Sequence, residues 1–176
     1  MGNKGVTLIE LVIVVTIIGI LAAGLSFSFQ GWNSGYNVER QIKNLHMDLI
    51  NAQLNAMQQN RMRFVNLAAT QYSIYDDDNS IPGGDGDGNA DPATDTLVSQ
   101  KDLNANYPVT WSDLGETQIE FDSRGIASVD MTICNNAIAN ADYDCIDILE
   151  TRIKMGKLTT PISEGGACSE ANCVER

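Results

Sequence analysis

The chain opens with an apolar run that passes, without an intervening proline, into an amphipathic pattern. Glu10 is the only charged residue between Gly5 and Val38, and the 28 residues from Leu11 to Val38 carry no charge. About 20 apolar residues suffice to cross a bilayer as a helix, so we expect residues 6–36 to form a membrane-spanning helix. The run is too long for the apolar core of a cleaved secretory signal peptide.

Beyond residue 36, apolar residues recur at spacings of three and four, which is typical of a helix with one buried face. The residues of this stripe are Val38, Ile42, Leu45, Leu49, Ala52 and Ala56. We expect the helix to continue through residues 37–60, giving a total length of about 80 Å. Its apolar face needs a sheet to cover it.

From residue 61 the pattern changes to short β-type runs separated by turns, which predicts an antiparallel, β-rich head over residues 61–176. The predicted strands are Arg61–Ala68, Gln71–Tyr75, Asp95–Ser99, Tyr107–Trp111, Thr117–Asp122, Ile126–Cys134, Cys145–Met155 and Leu158–Thr160. We expect the fifth and sixth to form a hairpin with Gly125 in its turn. The predicted fold class is therefore α+β, with a long N-terminal helix packed on an antiparallel sheet.

Glu10 is the feature of the apolar run that needs a functional reason. A carboxylate at the centre of a membrane helix costs roughly 2.5–3.5 kcal/mol on insertion scales. Such a group is rarely kept without a partner, and snorkelling to the headgroups is the ordinary alternative. Glu10 is therefore a candidate functional residue.

Composition excludes several classes of function. The formal net charge is −12, which argues against binding the phosphate backbone of nucleic acid, where clustered Lys and Arg are required. His46 is the single histidine, so histidine metal clusters and Ser-His-Asp triads are poor prospects. We expect a protein that is not an enzyme.

The four cysteines all lie in the last third of the chain. An even number in a domain outside the cytoplasm indicates disulfides, and three connectivities are possible. Because the loops between consecutive cysteines are short and rich in turns, the favoured pairs are Cys134–Cys145 and Cys168–Cys173. A zinc site is the alternative, but the paired C-x-x-C spacing is absent.

An acidic loop over residues 76–95 contains no basic residue. Oxygen-bearing residues alternate within it at Asp85, Asp87, Asn89 and Asp91, and Asp95 follows. This alternation in a glycine-containing loop resembles the start of an EF-hand, although Thr96 stands where a bidentate glutamate is expected. Calcium is thus one candidate ligand, and a solvated loop of mutually repelling charges is the other. No other cofactor is expected.

The segment Lys4-Gly5-Val6-Thr7-Leu8-Ile9-Glu10-Leu11 resembles the N-terminal signal of type IV pilins and type II secretion pseudopilins. The resemblance implies cleavage by a prepilin peptidase between Gly5 and Val6, removal of residues 1–5 as a leader, and methylation of the new N-terminus. Val6 stands where the family usually has Phe or Met. The resemblance also implies that Glu10 pairs with the N-terminal amine of a neighbouring subunit during assembly.

The segment from Ile119 through Phe121 to Gly125 resembles the I-x-F-x-x-x-G signature of the GspH/FimT branch of minor pilins and pseudopilins. The implied fold is the pilin fold, and the implied partners are other pilins or pseudopilins, the peptidase and an inner-membrane assembly platform. The implied location is the bacterial inner membrane, with one span and a periplasmic C-terminal head, and then the filament. The expected function is a structural minor subunit; a filament-tip module that binds calcium, a secreted protein or a surface is the alternative.

Overall fold

The computed structural model describes residue 5 and residues 7–79, 86–136 and 141–176. The side chains of residues 25–32 lie outside this description.

One α-helix, α1, runs from Leu8 to Gln59 over 52 residues. Thr7 caps its start, because the Thr7 hydroxyl accepts a hydrogen bond from the backbone N–H of Glu10. It ends at Asn60, which adopts a left-handed conformation (φ 50°) and donates its N–H to the carbonyls of Ala56 and Met57. At 1.5 Å per residue the helix is about 78 Å long. Within the described part of the chain, no helix has both the length and the hydrophobicity needed to cross a membrane.

The head contains two antiparallel sheets. The strands of the first sheet are β1 (Arg63–Ala68), β2 (Gln71–Asp76), β3 (Thr96–Asp102) and β5 (Gln118–Phe121). Those of the second are β4 (Val109–Trp111), β6 (Met131–Asn135), β7 (Cys145–Leu149), β8 (Arg152–Leu158) and β9 (Cys173–Glu175). The strand order is β3-β2-β1-β5 in the first sheet and β4-β6-β7-β8-β9 in the second.

The predicted apolar stripe of α1 forms the centre of the core. All six of its residues are at most 2% exposed, and α1 packs against β1 and β5 of the first sheet and β7 and β8 of the second. Both sheets contribute to the same hydrophobic cluster, for example through Ile119 and Ile146. The predicted α+β class, with a long helix packed on antiparallel strands, is therefore confirmed, with two sheets in place of one.

The strand pairing after residue 117 differs from the prediction. β5 and β6 do not form a hairpin: after the Gly125 turn a single bridge joins Phe121 to Ala127, and β6 pairs with β4 and β7 in the other sheet. The predicted strand Cys145–Met155 is divided by a turn at residues 150–151 into β7 and β8. At Gly125 the turn signal was correct, but the core decided the partner of β6; at residues 150–151 the prediction missed the turn.

The disulfide connectivity also differs, and the predicted pairs Cys134–Cys145 and Cys168–Cys173 are wrong. The structure joins Cys134 to Cys168 and Cys145 to Cys173, with Cα–Cα distances of 5.8 and 6.0 Å. The reason is that the C-terminal tail folds back across the second sheet, where β9 pairs with β8. Gly156 leaves room for one bridge, since a Cβ there would lie 2.9 Å from the Cys173 sulfur.

Candidate functional site: the exposed rod and the acidic loop

The first part of α1, from Leu8 to Leu21, is an apolar rod that the rest of the chain does not cover. Its large hydrophobic side chains are between 49% and 81% exposed. Contiguous apolar surface on this scale marks contact with other molecules. We call this segment the rod.

Glu10 lies in the first turn of the rod and is exposed. Its backbone N–H is bonded to Thr7, while its carboxylate forms no ion pair within the described residues. A carboxylate in the first turn is favoured by the partial positive charge of a helix N-terminus. The side chain is therefore an accessible anion on an apolar surface.

The predicted processing site lies immediately before α1. Gly5 is exposed, and a Cβ built there would meet no heavy atom within 4 Å. Val6 lies outside the described residues. A peptidase can reach an exposed residue such as Gly5.

A second exposed apolar surface continues the rod along the head. Tyr36, Met47, Leu54 and Met57 are 58%, 61%, 42% and 41% exposed. Their spacing puts them on one side of α1, roughly opposite the buried stripe. We call these four residues the outer stripe. The described side chains of α1 thus expose apolar surface both on the rod and at these four positions of the head half.

The acidic loop is organised by carboxylates that bind its own backbone. The two oxygens of Asp77 accept hydrogen bonds from the N–H groups of Asp87 and Gly88, at 3.0 and 2.9 Å. Those of Asp95 accept from Asn79 and Asp91, at 3.3 and 2.9 Å. Burial raises the pKa of Asp77, and the neighbouring carboxylates of Asp95 and Asp87 raise it further. The two backbone N–H donors lower it, but the net shift is upward.

The predicted calcium ligands are only partly brought together. Asp87, Asn89 and Asp91 line one open surface depression, whereas the Asp95 carboxylate is buried and committed to the backbone. Asp85 lies outside the described residues. In the segments that the structure describes, no group of three or more His, Cys, Asp or Glu side chains has metal-binding geometry. Calcium binding stays a prediction.

Sequence reasoning missed the anchors at the base of this loop. Asp76 forms ion pairs with Arg61 (2.8 Å) and Arg63 (3.4 Å), and Asp78 accepts from the N–H of Thr96 at 3.1 Å. The available signal was the run of three aspartates after a strand, preceded by two arginines just after the helix. Neither the calcium hypothesis nor the solvated-loop alternative predicts what the structure shows, which is that all three residues are buried.

The first 26 residues match the family model of the prokaryotic N-terminal methylation motif. The matched residues include Lys4–Leu11, the segment that carries the resemblance predicted from the sequence, so the N-terminal methylation motif is confirmed.

The fold is similar to two solved structures. For the type IV minor pilin FimU of Pseudomonas aeruginosa, the TM-score is 0.49 at 14% identity, covering 67% of this chain and 87% of that one. For the minor pseudopilin EpsH of the Vibrio cholerae type 2 secretion system, the TM-score is 0.47 at 14% identity, covering 68% of this chain and 95% of that one. No curated protein matches the chain.

Proposed function

We propose that this chain is a structural minor subunit of a type IV pilus or a type II secretion pseudopilus, of the GspH/FimT kind. A prepilin peptidase cuts it between Gly5 and Val6, and the rod then assembles into a filament through Glu10. The observation that carries the proposal is the uncovered apolar rod with an accessible carboxylate near its processed end.

The energetics favour a polymer. Burying a Val, Leu or Ile side chain that was exposed contributes about 1.5–3 kcal/mol, and the rod carries many such side chains. Within a bundle of rods, an unpaired Glu10 would be expensive, and breaking a buried ion pair by removing one partner costs about 3–5 kcal/mol. Cleavage creates a new α-amine at Val6, which supplies a neighbouring subunit with the required cation.

Before assembly, the same surface needs an apolar solvent. We propose that the rod is held in the bacterial inner membrane, where a single span leaves the head in the periplasm. Two disulfides in the head fit an oxidising compartment. Other pilins or pseudopilins, the peptidase and the assembly platform are the proposed partners, and no reaction is assigned to the chain itself.

Two measurements on the full-length chain in a bacterial host with a pilus or pseudopilus machinery test this function. Mass spectrometry of assembled protein should show Val6 as the N-terminal residue, with or without a methyl group. Glu10→Ala should leave membrane insertion intact and reduce recovery in sheared filaments at least about tenfold, the factor that about 1.4 kcal/mol produces.

Glu116→Ala is the matched control, because Glu116 is an exposed glutamate in a head loop; its recovery should equal that of the unmodified chain. An intact Met1 in filaments contradicts the processing step. Normal assembly of the Glu10 variant contradicts the role of the carboxylate.

The alternative is a filament-tip module whose acidic head binds calcium, a secreted protein or a surface. The open depression lined by Asp87, Asn89 and Asp91 favours it. Deleting the gene and measuring secretion, twitching and surface attachment separately distinguishes the two. A loop variant such as Asp87→Asn that abolishes one of these activities without changing filament assembly would favour the tip module.

A further inference from the structure

A polar cleft lies where α1 enters the head, at the end nearest the rod. It has a volume of about 240 Å³ and is formed between α1 and the end of β3. Pockets for drug-sized ligands measure roughly 300–1,000 Å³, so this cleft suits a smaller chemical group. The polar residues that line it and bear on its chemistry are Asn37, Arg40, Asn44, Lys101, Asp102 and Asn104.

Internal hydrogen bonds hold the two walls of the cleft together. The side chain of Gln41 on α1 accepts from the backbone N–H of Asn104 at 2.9 Å and donates to the carbonyl of Tyr107 at 2.7 Å. Lys101 on β3 donates to Asp48 on α1 at 2.6 Å. The helix and the end of the strand are therefore joined at two points, and the cleft has its shape before any ligand binds.

One cation in the cleft is open to a ligand. Arg40 is exposed and forms no ion pair within the described parts of the chain. Asn37 and Asn44 lie one turn before and after it on the same face of α1, and their amide groups are further donors. The exposed Asp102 is the opposing anion. Because a guanidinium binds phosphate oxygens through two parallel hydrogen bonds, this set of donors suits a phosphate group.

The position of Arg40 along α1 matches the thickness of a bilayer. The 28 residues between Glu10 and Glu39 carry no charge, and α1 runs through them without a break, so this stretch is about 42 Å long. A bilayer with its headgroup regions is roughly 40–45 Å thick. A helix whose Glu10 lies at the cytoplasmic headgroups therefore brings Arg40 to the periplasmic headgroups.

Two further observations bear on this placement. Tyr36 is 58% exposed and lies one turn before Arg40, and tyrosine is enriched where a membrane helix meets the headgroups. The net charge of −12 means that an anionic membrane surface repels the chain as a whole. An attraction to headgroups must therefore come from particular donors.

We propose that the Arg40 cleft binds the phosphate group of a phospholipid in the periplasmic leaflet before the chain is assembled. The inference rests on the proposed function, because the rod must lie in a bilayer for headgroups to reach the cleft. The contact would fix the rotation of the head about the axis of α1, since the cleft lies on one side of the helix. A single copy of the chain is sufficient, as a minor subunit requires.

The test titrates the full-length chain, in a detergent without phosphate, with dioleoyl phosphatidylglycerol or dioleoyl phosphatidylethanolamine. Native mass spectrometry measures the affinity for the first bound lipid. Arg40→Gln should lower that affinity about tenfold for both lipids, and Arg40→Lys should retain most of it. Asp102→Asn should raise it, because a repulsion is removed. Arg152→Gln is the matched control, at an exposed arginine that begins β8, and should change nothing.

Two further ligands identify the chemical group. Dioleoyl glycerol has the same acyl chains without phosphate, and it should bind the Arg40→Gln variant and the unmodified chain equally. Millimolar inorganic phosphate should not displace the phospholipid, because the acyl chains also contact the rod. Displacement would assign the cleft to soluble phosphate, and an equal loss of dioleoyl glycerol would assign the effect to the acyl chains. Either result overturns the proposal.

Cross-linking in vesicles of the two phospholipids locates the contact. A photo-cross-linking amino acid replaces Asn44, which is exposed and lines the cleft. Mass spectrometry should find adducts on headgroup or glycerol carbons, about tenfold fewer with Arg40→Gln. The control position is Asn51, an exposed residue two turns further from the rod, or about 10 Å, where such adducts should be rare. Equal yields at both positions, or a yield that Arg40→Gln leaves unchanged, overturn the proposal.

Failure of this contact is distinguishable from failure of the proposed function, because the lipid measurements need neither the peptidase nor the platform. If the chain inserts into vesicles and joins filaments in cells, but Arg40→Gln does not change lipid binding, only the contact is wrong. If Arg40→Gln instead removes the chain from filaments at unchanged lipid affinity, the cleft binds a protein and the lipid proposal is overturned. If the chain does not insert, the membrane stage of the proposed function fails with it.

Discussion

The two halves of α1 have the same backbone but opposite surroundings. In the rod, apolar side chains cover the surface and remain exposed. In the head half, the apolar positions that recur every three or four residues are at most 2% exposed. Because most helical stability in proteins comes from packing, the head half is stabilised within the chain, whereas the rod depends on other molecules.

The largest expected effect on stability comes from comparing the same Leu→Ala substitution in the two halves of α1. Leu49→Ala removes a side chain with no exposed surface and should lower the free energy of unfolding by about 2–5 kcal/mol. Leu11→Ala removes the same atoms from the rod, where the side chain is 60% exposed. This substitution should change the free energy of unfolding by less than about 0.5 kcal/mol. Denaturant unfolding of the full chain in mild detergent, followed through the head tryptophan Trp111, measures both. Equal effects would mean that the rod packs on the head.

Alanine substitutions at two glycines should change stability in opposite directions. Gly125 has φ +76°, and a Cβ there would lie 2.8 Å from the Met57 side chain, so Gly125→Ala should lower head stability by about 1–2 kcal/mol. Gly19 has open space around it, and Gly19→Ala should favour the rod helix by about 0.5–1 kcal/mol. Thermal unfolding of the head and helix content by circular dichroism check the two. A stabilised Gly125 variant would contradict the described turn.

A buried carboxylate gives the head a pH dependence. Burial raises the pKa of Asp144. Its carboxylate accepts a hydrogen bond from the Leu158 N–H at 2.6 Å, which lowers the pKa but does not cancel the effect of burial. The folded state therefore holds this proton more tightly than the unfolded state. This contribution to stability is complete below the unfolded pKa near 3.8 and is lost as the pH rises through the folded pKa.

Asp144→Asn keeps the acceptor and should flatten that fall in the free energy of unfolding as the pH rises above about 4. Asp142→Asn, at an exposed position two residues earlier, should leave the slope unchanged. A slope that Asp144→Asn does not alter would assign the pH dependence to other groups.

Calcium should have the smallest effect. Millimolar calcium should raise the melting temperature of the head, and a ligand at a concentration equal to its dissociation constant contributes about 0.4 kcal/mol. Asp87→Asn with Asp91→Asn should reduce the shift, whereas Asp113→Asn in another exposed loop should not. Without any shift in the unmodified chain, the loop carboxylates serve only the hydrogen bonds described above.

The helix and its buried face were predictable because periodicity is a local signal. The spacing of Val38, Ile42 and Leu45 defines the buried face of the helix within two turns. Glu10 is easily recognised as a charged residue in an apolar run. Strand partners were less predictable, since β6 does not pair with β5 across the Gly125 turn but joins β4 and β7 in the second sheet. The acidic run at residues 76–78 was misinterpreted because composition does not reveal that Arg61, Arg63 and loop N–H groups will surround it.

The disulfide connectivity failed for a related reason that has a practical consequence. The two bridges interleave along the chain, since Cys145 lies between Cys134 and Cys168. Neither can close until the tail has crossed the second sheet. Peptide mapping of the disulfide pairs thus reports on maturation: a newly made chain that yields the Cys134–Cys168 and Cys145–Cys173 peptides has finished arranging its C-terminus.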